Sequence, residues 1–212
     1  MAGKEVAISL ERPQIRNSQI LVFVGPEGSG KSTQAEFFAK DCSMPYISVS
    51  DLIREKARTD ITEIGEECRA VFAQKRYIDP NVLTKIYENR FRKKDTENGF
   101  VLDGAMRTQG EIKNFDTVLQ KANRAMLPVI IIYLKTPGWE STRRLLNRKR
   151  TDDTLEGIVR RLTHYHNHLA EKAVMMKKKW NFLQVNVGQY GSKESVHEEI
   201  KTRIDALKID GI

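Results

Sequence analysis

Cysteine is scarce: Cys42 and Cys68 are the only two, and they stand far apart. With no C-x-x-C pair, a structural zinc site built mainly from cysteine is not available. Two ordinary thiols in a reducing compartment are expected instead. Long apolar runs are also missing, so no segment approaches a transmembrane helix. Residues 1–18 lack the apolar block of a signal peptide, because Val6 to Leu10 is short and is followed by charges. A cytoplasmic protein without a membrane role is expected. No internal repeat or low-complexity tract interrupts the 212 residues, which suit one domain with a small insert and a sizeable core. Nor is there an acidic excess: Lys and Arg number 36 against 28 Asp and Glu, a formal net charge of +8. A basic balance suits nucleic acid or a polyphosphate substrate. The basic runs carry no interleaved aromatics and no nucleic-acid motif, which favours small nucleotides over polymers.

What is present is a phosphate cradle. Gly25-Pro26-Glu27-Gly28-Ser29-Gly30-Lys31-Ser32 reads G-x-x-x-x-G-K-[ST]. It follows the apolar Ile20 to Val24, of strand character, and precedes a helical opening from Thr33 to Lys40. Strand, glycine loop and helix is the context that gives this spacing meaning. Glycines let backbone N–H groups curl around phosphates, and the new helix points its positive end at the same anion. Lys31 would reach the β- and γ-phosphates and the Ser32 hydroxyl would ligate Mg²⁺. The plain alternative is a glycine turn with a solvated lysine.

Further along, strands are expected at Tyr46–Val49, Phe100–Leu102, Val129–Leu134 and Phe182–Asn186. Ser50-Asp51 is expected to cap a helix from Leu52 to about Arg58. More helix is expected from Thr62 to Gln74, Val82 to Arg92 and Gln109 to Lys121, then as one long helix from about Thr154 to Lys179, and lastly from Lys193 to Leu207. Short apolar strands alternating with helices predict an α/β fold, a five-stranded parallel sheet with helices on both faces. Residues 1–18 form an extension and 19–212 one domain. The helical segment of about 49–82 forms a small lobe able to hinge.

Three groups of residues carry chemistry. Asp103 ends an apolar strand downstream of the loop, where such proteins place a carboxylate for Mg²⁺ or its waters; otherwise it caps the turn before Gly104. Arg54 and Arg107 each follow a strand, and their guanidinium forks fit a second phosphate; otherwise they are surface arginines. Arg143, Arg144, Arg148, Arg150, Arg160 and Arg161 surround Asp152-Asp153. Positive charge around a moving phosphoryl group is what its transfer needs. The alternative is a solvated basic face. Three of the four histidines, His164, His166 and His168, alternate along a helix, so they face apart and do not read as a metal site.

These motifs together resemble the adenylate kinase family of nucleoside monophosphate kinases, with a P-loop NTPase fold, over Ile20 to Leu207. The phosphate loop through Gln34, the stretch Ser48 to Arg54, the stretch Gly99 to Thr108, and Arg144, Arg148, Arg150 to Asp153 and Arg161-Leu162 follow the family's motifs in order. The resemblance implies reversible transfer of the γ-phosphoryl group of ATP to a nucleoside monophosphate, AMP first, with Mg²⁺ and no zinc. It implies ATP contacts from Gly25, Glu27, Gly28, Ser29, Gly30, Lys31, Ser32, Thr33, Arg144 and Arg148. Val49, Ser50, Arg54, Arg107, Glu111, Arg150 and Arg161 would serve the monophosphate. Lys31, Arg107, Arg148, Arg150 and Arg161 would be catalytic, and Ser32 and Asp103 would serve the metal, partly through water. The lid, about 148–154, is short, since only Lys149 separates Arg148 from Arg150. A monomer is expected, with no nucleic-acid partner.

The chain departs from the family at the acceptor side. Phe-Pro becomes Ala105-Met106, Thr-Gly becomes Val49-Ser50, and the glutamine that reads adenine becomes Glu111. A carboxylate only accepts hydrogen bonds, so UMP, CMP or a guanine nucleotide stays open as acceptor. Binding without turnover also stays open, against which stand Lys31, Asp103 and the arginine set.

Overall fold

The computed structural model describes residues 18–74, 76–148, 154–189 and 192–207. The expected extension lies outside them except for Ser18. Five apolar segments form parallel strands: β1 Gln19–Val24, β2 Tyr46–Ser48, β3 Gly99–Asp103, β4 Val129–Lys135 and β5 Asn181–Asn186. Their spatial order is β2-β3-β1-β4-β5. Around them lie α1 Lys31–Asp41, α2 Val49–Thr59, α3 Glu63–Gln74, α4 Pro80–Phe91, α5 Gln109–Lys121, α6 Gly138–Asn147, α7 Leu155–Asn167, α8 Leu169–Lys179 and α9 Lys193–Asp205. The α/β class and the five-stranded parallel sheet are as expected. Among the described residues no helix is long and apolar enough to cross a membrane.

The strand period of two divides the core. Ile20, Val22 and Val24 of β1 face one side with Phe100 and Leu102 of β3; that side is covered chiefly by α2 to α5 and α8. Leu21 and Phe23 face the other side with Val101, Ile130 and Ile132, under α1 and α9. Every residue of β1 and β3 is buried, as central strands covered on both faces must be. From adjacent strands, β1 leads to α1 on one face and β3 leads to α5 on the other. A crevice opens where chains part to opposite faces, at the carboxyl ends of the strands.

α1 and α4 each begin two residues earlier than expected, at Lys31 and Pro80, and two larger differences concern α2 and the long helix. α2 begins at Val49, capped by the Ser48 hydroxyl, which accepts from the Asp51 N–H at 3.3 Å. The cap is thus Ser48 rather than Ser50-Asp51, and β2 stops at Ser48 because its last side chain already closes the helix. The long helix of 154–179 is two helices, broken at His168 (φ −119°, ψ 12°). Ile158, Leu162, Tyr165, Leu169, Lys172 and Met176 turn inward at intervals of four and three across the break. The burial period therefore runs on while the backbone does not, and Asn167-His168, both weak helix formers, mark the spot.

Aromatic packing anchors α4 on β3 and α5. The fully buried Phe91 lies 4.4 Å from the Phe100 ring and 5.0 Å from Tyr87, centroid to centroid. Phe91→Ala should lower the unfolding free energy by about 3–5 kcal/mol, read from urea unfolding followed by far-UV circular dichroism.

Candidate active site

The loop after β1 closes on itself. The Ser29 N–H donates to the Pro26 carbonyl at 3.2 Å, and the Ser29 side chain is wholly buried. Gly28 and Gly30 take left-handed φ values of 79° and 87°. A Cβ at Gly28 would lie 2.8 Å from the Ser141 carbonyl oxygen, so glycine is required there by space as well. Gly30 begins α1, no side chain caps that terminus, and its first turn holds no acid. An anion is the natural partner for such an end.

Lys31 folds over this loop, its Nζ donating to the Pro26 carbonyl at 3.3 Å. Burial, helped by the Arg107 charge, pushes its pKa down to about 8, against the pull of Asp103 and Glu27. Ser32 is exposed and Thr33 half-buried on the first turn of α1. Asp103, at the end of β3, is 6% exposed. Its Oδ2 accepts from the Tyr46 hydroxyl at 2.9 Å, while its buried Oδ1 has no protein partner. Burial and the Asp103 charge hold the Tyr46 hydroxyl protonated. An oriented carboxylate with one oxygen left over offers a hard oxygen donor of the kind Mg²⁺ takes. Among the described residues no three His, Cys, Asp or Glu side chains form a metal-holding group.

Two clefts flank Arg107. The first is lined by Gly25, Glu27, Lys31, Arg107 and Arg161. Arg161 reaches from α7 to Glu27, Nε to Oε2 3.2 Å. The second is lined by Val49, Ser50, Arg76, Arg107 and Glu111. Tyr77 lines both clefts and lies 5.8 Å below the Arg107 guanidinium carbon.

Glu111 is 5% exposed. Its Oε1 accepts from the Tyr87 hydroxyl at 2.7 Å and its Oε2 from the Arg107 N–H at 2.8 Å. Both protein neighbours donate, so an acceptor-only carboxylate suits the place. It still borders the second cleft, and a carboxylate retains further lone pairs there.

Other expected residues lie elsewhere. Arg54 is turned onto Asp51 at 2.6 Å, its side chain 57% exposed, and lines neither cleft. Arg144 is held by Glu140 at 2.7 Å and approaches the Gly28 carbonyl at 3.4 Å, beside the phosphate loop. Arg143 shares Glu140, and the two arginines hold that carboxyl down to about 2. Arg148 caps the end of α6 and is exposed. Arg150, Asp152 and Asp153 lie outside the described residues. His164, His166 and His168 are exposed, but His197 is buried between helices, its Nε2 2.8 Å from Asp41.

Tyr46, Arg76 and Tyr77 do not read as site residues from sequence. Tyr46 reads as one more strand aromatic. Arg76-Tyr77 falls between two helices without a motif. Lys172, whose Nζ donates to the Arg107 carbonyl at 3.1 Å, shows one signal: a lysine at an inward position of an otherwise apolar helical stripe.

The family model for adenylate kinase matches residues 23–180. An adenylate kinase of Renibacterium salmoninarum is 29% identical over 192 residues, covering 89% of this chain and 97% of that protein. One of Azobacteroides pseudotrichonymphae is 32% identical over 187 residues, covering 86% and 95%. One of Micrococcus luteus is 33% identical over 150 residues, covering 69% and 72%.

The Lys31 environment makes a prediction about pH. The folded chain releases this proton near pH 8, the free side chain near 10.5. Between those values the unfolded chain binds more protons, so stability rises with pH, and below them the enclosed charge is a standing cost. Lys31→Met should raise the unfolding free energy at pH 7, with the gain shrinking by pH 10. Urea titrations of both proteins at the two pH values measure this; an equal gain at both would rule out the charge as its source.

Proposed function

The chain belongs to the adenylate kinase family, and on that footing we propose that it transfers the γ-phosphoryl group of ATP reversibly to AMP, giving two ADP. The observation that carries this reading is Arg107, which borders both clefts at once. A cation shared by a donor cleft and an acceptor cleft stands where a phosphoryl group passes between them.

Transfer of this kind asks for position and positive charge rather than covalent chemistry. In our reading the loop amides of Gly25 to Ser32 and Lys31 hold the ATP phosphates, with Glu27, Thr33 and Arg144 beside them. Arg107, Arg148, Arg150 and Arg161 gather around the moving group, where fixed charge in a water-poor cleft counts most. Arg54 leaves Asp51, an exposed partner of little energetic weight, to take the monophosphate. Val49, Ser50 and Glu111 border the base. Ser32 and Asp103 would hold Mg²⁺, which supplies charge neutralisation to the phosphates; the unpartnered Asp103 Oδ1 supports this. The helices of about 49–82 act as an acceptor lobe and the segment of about 148–154 as a short lid, whose residues 149–153 lie outside the described ones. Closure of both keeps water from taking the phosphoryl group. One chain lines both clefts, which supports action as a monomer. Such substrates suit a cytoplasmic setting.

A coupled assay with AMP, CMP, UMP and GMP tests the assignment. AMP should give the highest kcat/KM, and activity with none of the four would sink it. In the same assay Lys31→Met should cut kcat by about 10²–10³-fold with the folded circular dichroism spectrum retained. Unchanged turnover would remove Lys31 from the reaction.

A further inference from the structure

Arg107 follows a turn of costly shape. The buried Met106 before it lies in the left-handed region at φ 60°, where a Cβ crowds the neighbouring carbonyl. Such a conformation persists only where its surroundings over-determine it. Two buried side chains do so from opposite sides. Glu111 of α5 accepts the Arg107 N–H at 2.8 Å, and Lys172 of α8 donates to the Arg107 carbonyl at 3.1 Å. The guanidinium is then tied back through Nε to the Gly104 carbonyl at 2.8 Å.

Lys172 has no evident reason of packing to be a lysine. It is 3% exposed, and Met176, one turn later on the same face, fills its place with an apolar chain. Lysine is almost never fully buried unless partnered. Its other neighbour is the face of Tyr165, 4.9 Å from Nζ. Burial lowers its pKa, and Glu111 opposes that shift.

We propose that Lys172 is a positioning residue for Arg107: with Glu111 it pins the backbone on both sides of that residue and so fixes where the guanidinium stands between the two clefts. The inference rests on the reading of Arg107 as the arginine shared by donor and acceptor. It also ties α8, continuous in sequence with the helix that bears Arg161, to the turn that bears Arg107.

The test is Lys172→Met in the full chain, a change close in length that removes the donor. The kcat/KM for AMP should fall by about tenfold or more while the KM for ATP moves less than about twofold. The melting temperature should hold or rise, since a buried charge is gone. In an Arg107→Ala background the same substitution should change kcat/KM for AMP by less than about twofold, because its effect runs through Arg107. Unchanged AMP kinetics would overturn the proposal. So would equal losses toward both nucleotides with a lowered melting temperature, failure of the variant to fold, or losses that multiply in the double variant. Absence of AMP turnover in the unsubstituted chain would instead overturn the proposed function, and this inference with it.

Discussion

Parallel pairing of β1 with β3, Gln19 against Gly99 through Phe23 against Asp103, is the constraint on which the site depends. It brings the end of one strand, where the phosphate loop starts, beside the end of another, where Asp103 stands. Neither feature is selective alone. A glycine loop binds anions by geometry, and an aspartate at a strand end can cap a turn. Register makes them neighbours, and burial of both strands on both faces makes the register stiff, because a slip of one residue would turn every inward side chain outward.

Charge is then distributed by helices rather than strands. Lys31 comes from α1, Arg144 and Arg148 from the end of α6, Arg161 from α7. Arg107 comes from a loop after a central strand; Glu111 and Lys172 tether its backbone, and its guanidinium is bonded to the Gly104 carbonyl. The division has a physical sense. Cations on helices are placed by the packing of whole elements, while the one between both clefts is placed by local bonds to its own loop.

Much of this was legible from residue order. The strands, the sheet class and the phosphate loop follow from local pattern: a buried apolar run, then glycines whose positive φ no other residue takes cheaply. Helix α5 keeps its expected bounds because the Thr108 hydroxyl caps it, accepting from the Glu111 N–H. What could not be read depends on distance in sequence. Glu111 looked like a residue aimed at a base, yet its two donors, Tyr87 and Arg107, are visible only once α4 and α5 are packed. The break at His168 was hidden because burial keeps its helical period across it. Ser48 does not read as a cap because it also completes a strand, and sequence pattern favours one role per residue. Arg54 shows the reverse: its position in the motif is clear, but its resting partner, Asp51, is a local ion pair that any helix could form.

Glu27 gives the phosphate loop an unusual resting condition. Its carboxylate holds Arg161 across the first cleft while itself lining that cleft with Lys31. The cleft therefore carries its own placeholder anion. An anion entering between Lys31 and Arg161 meets a surface whose positive charge is already partly balanced by a carboxylate of the chain itself.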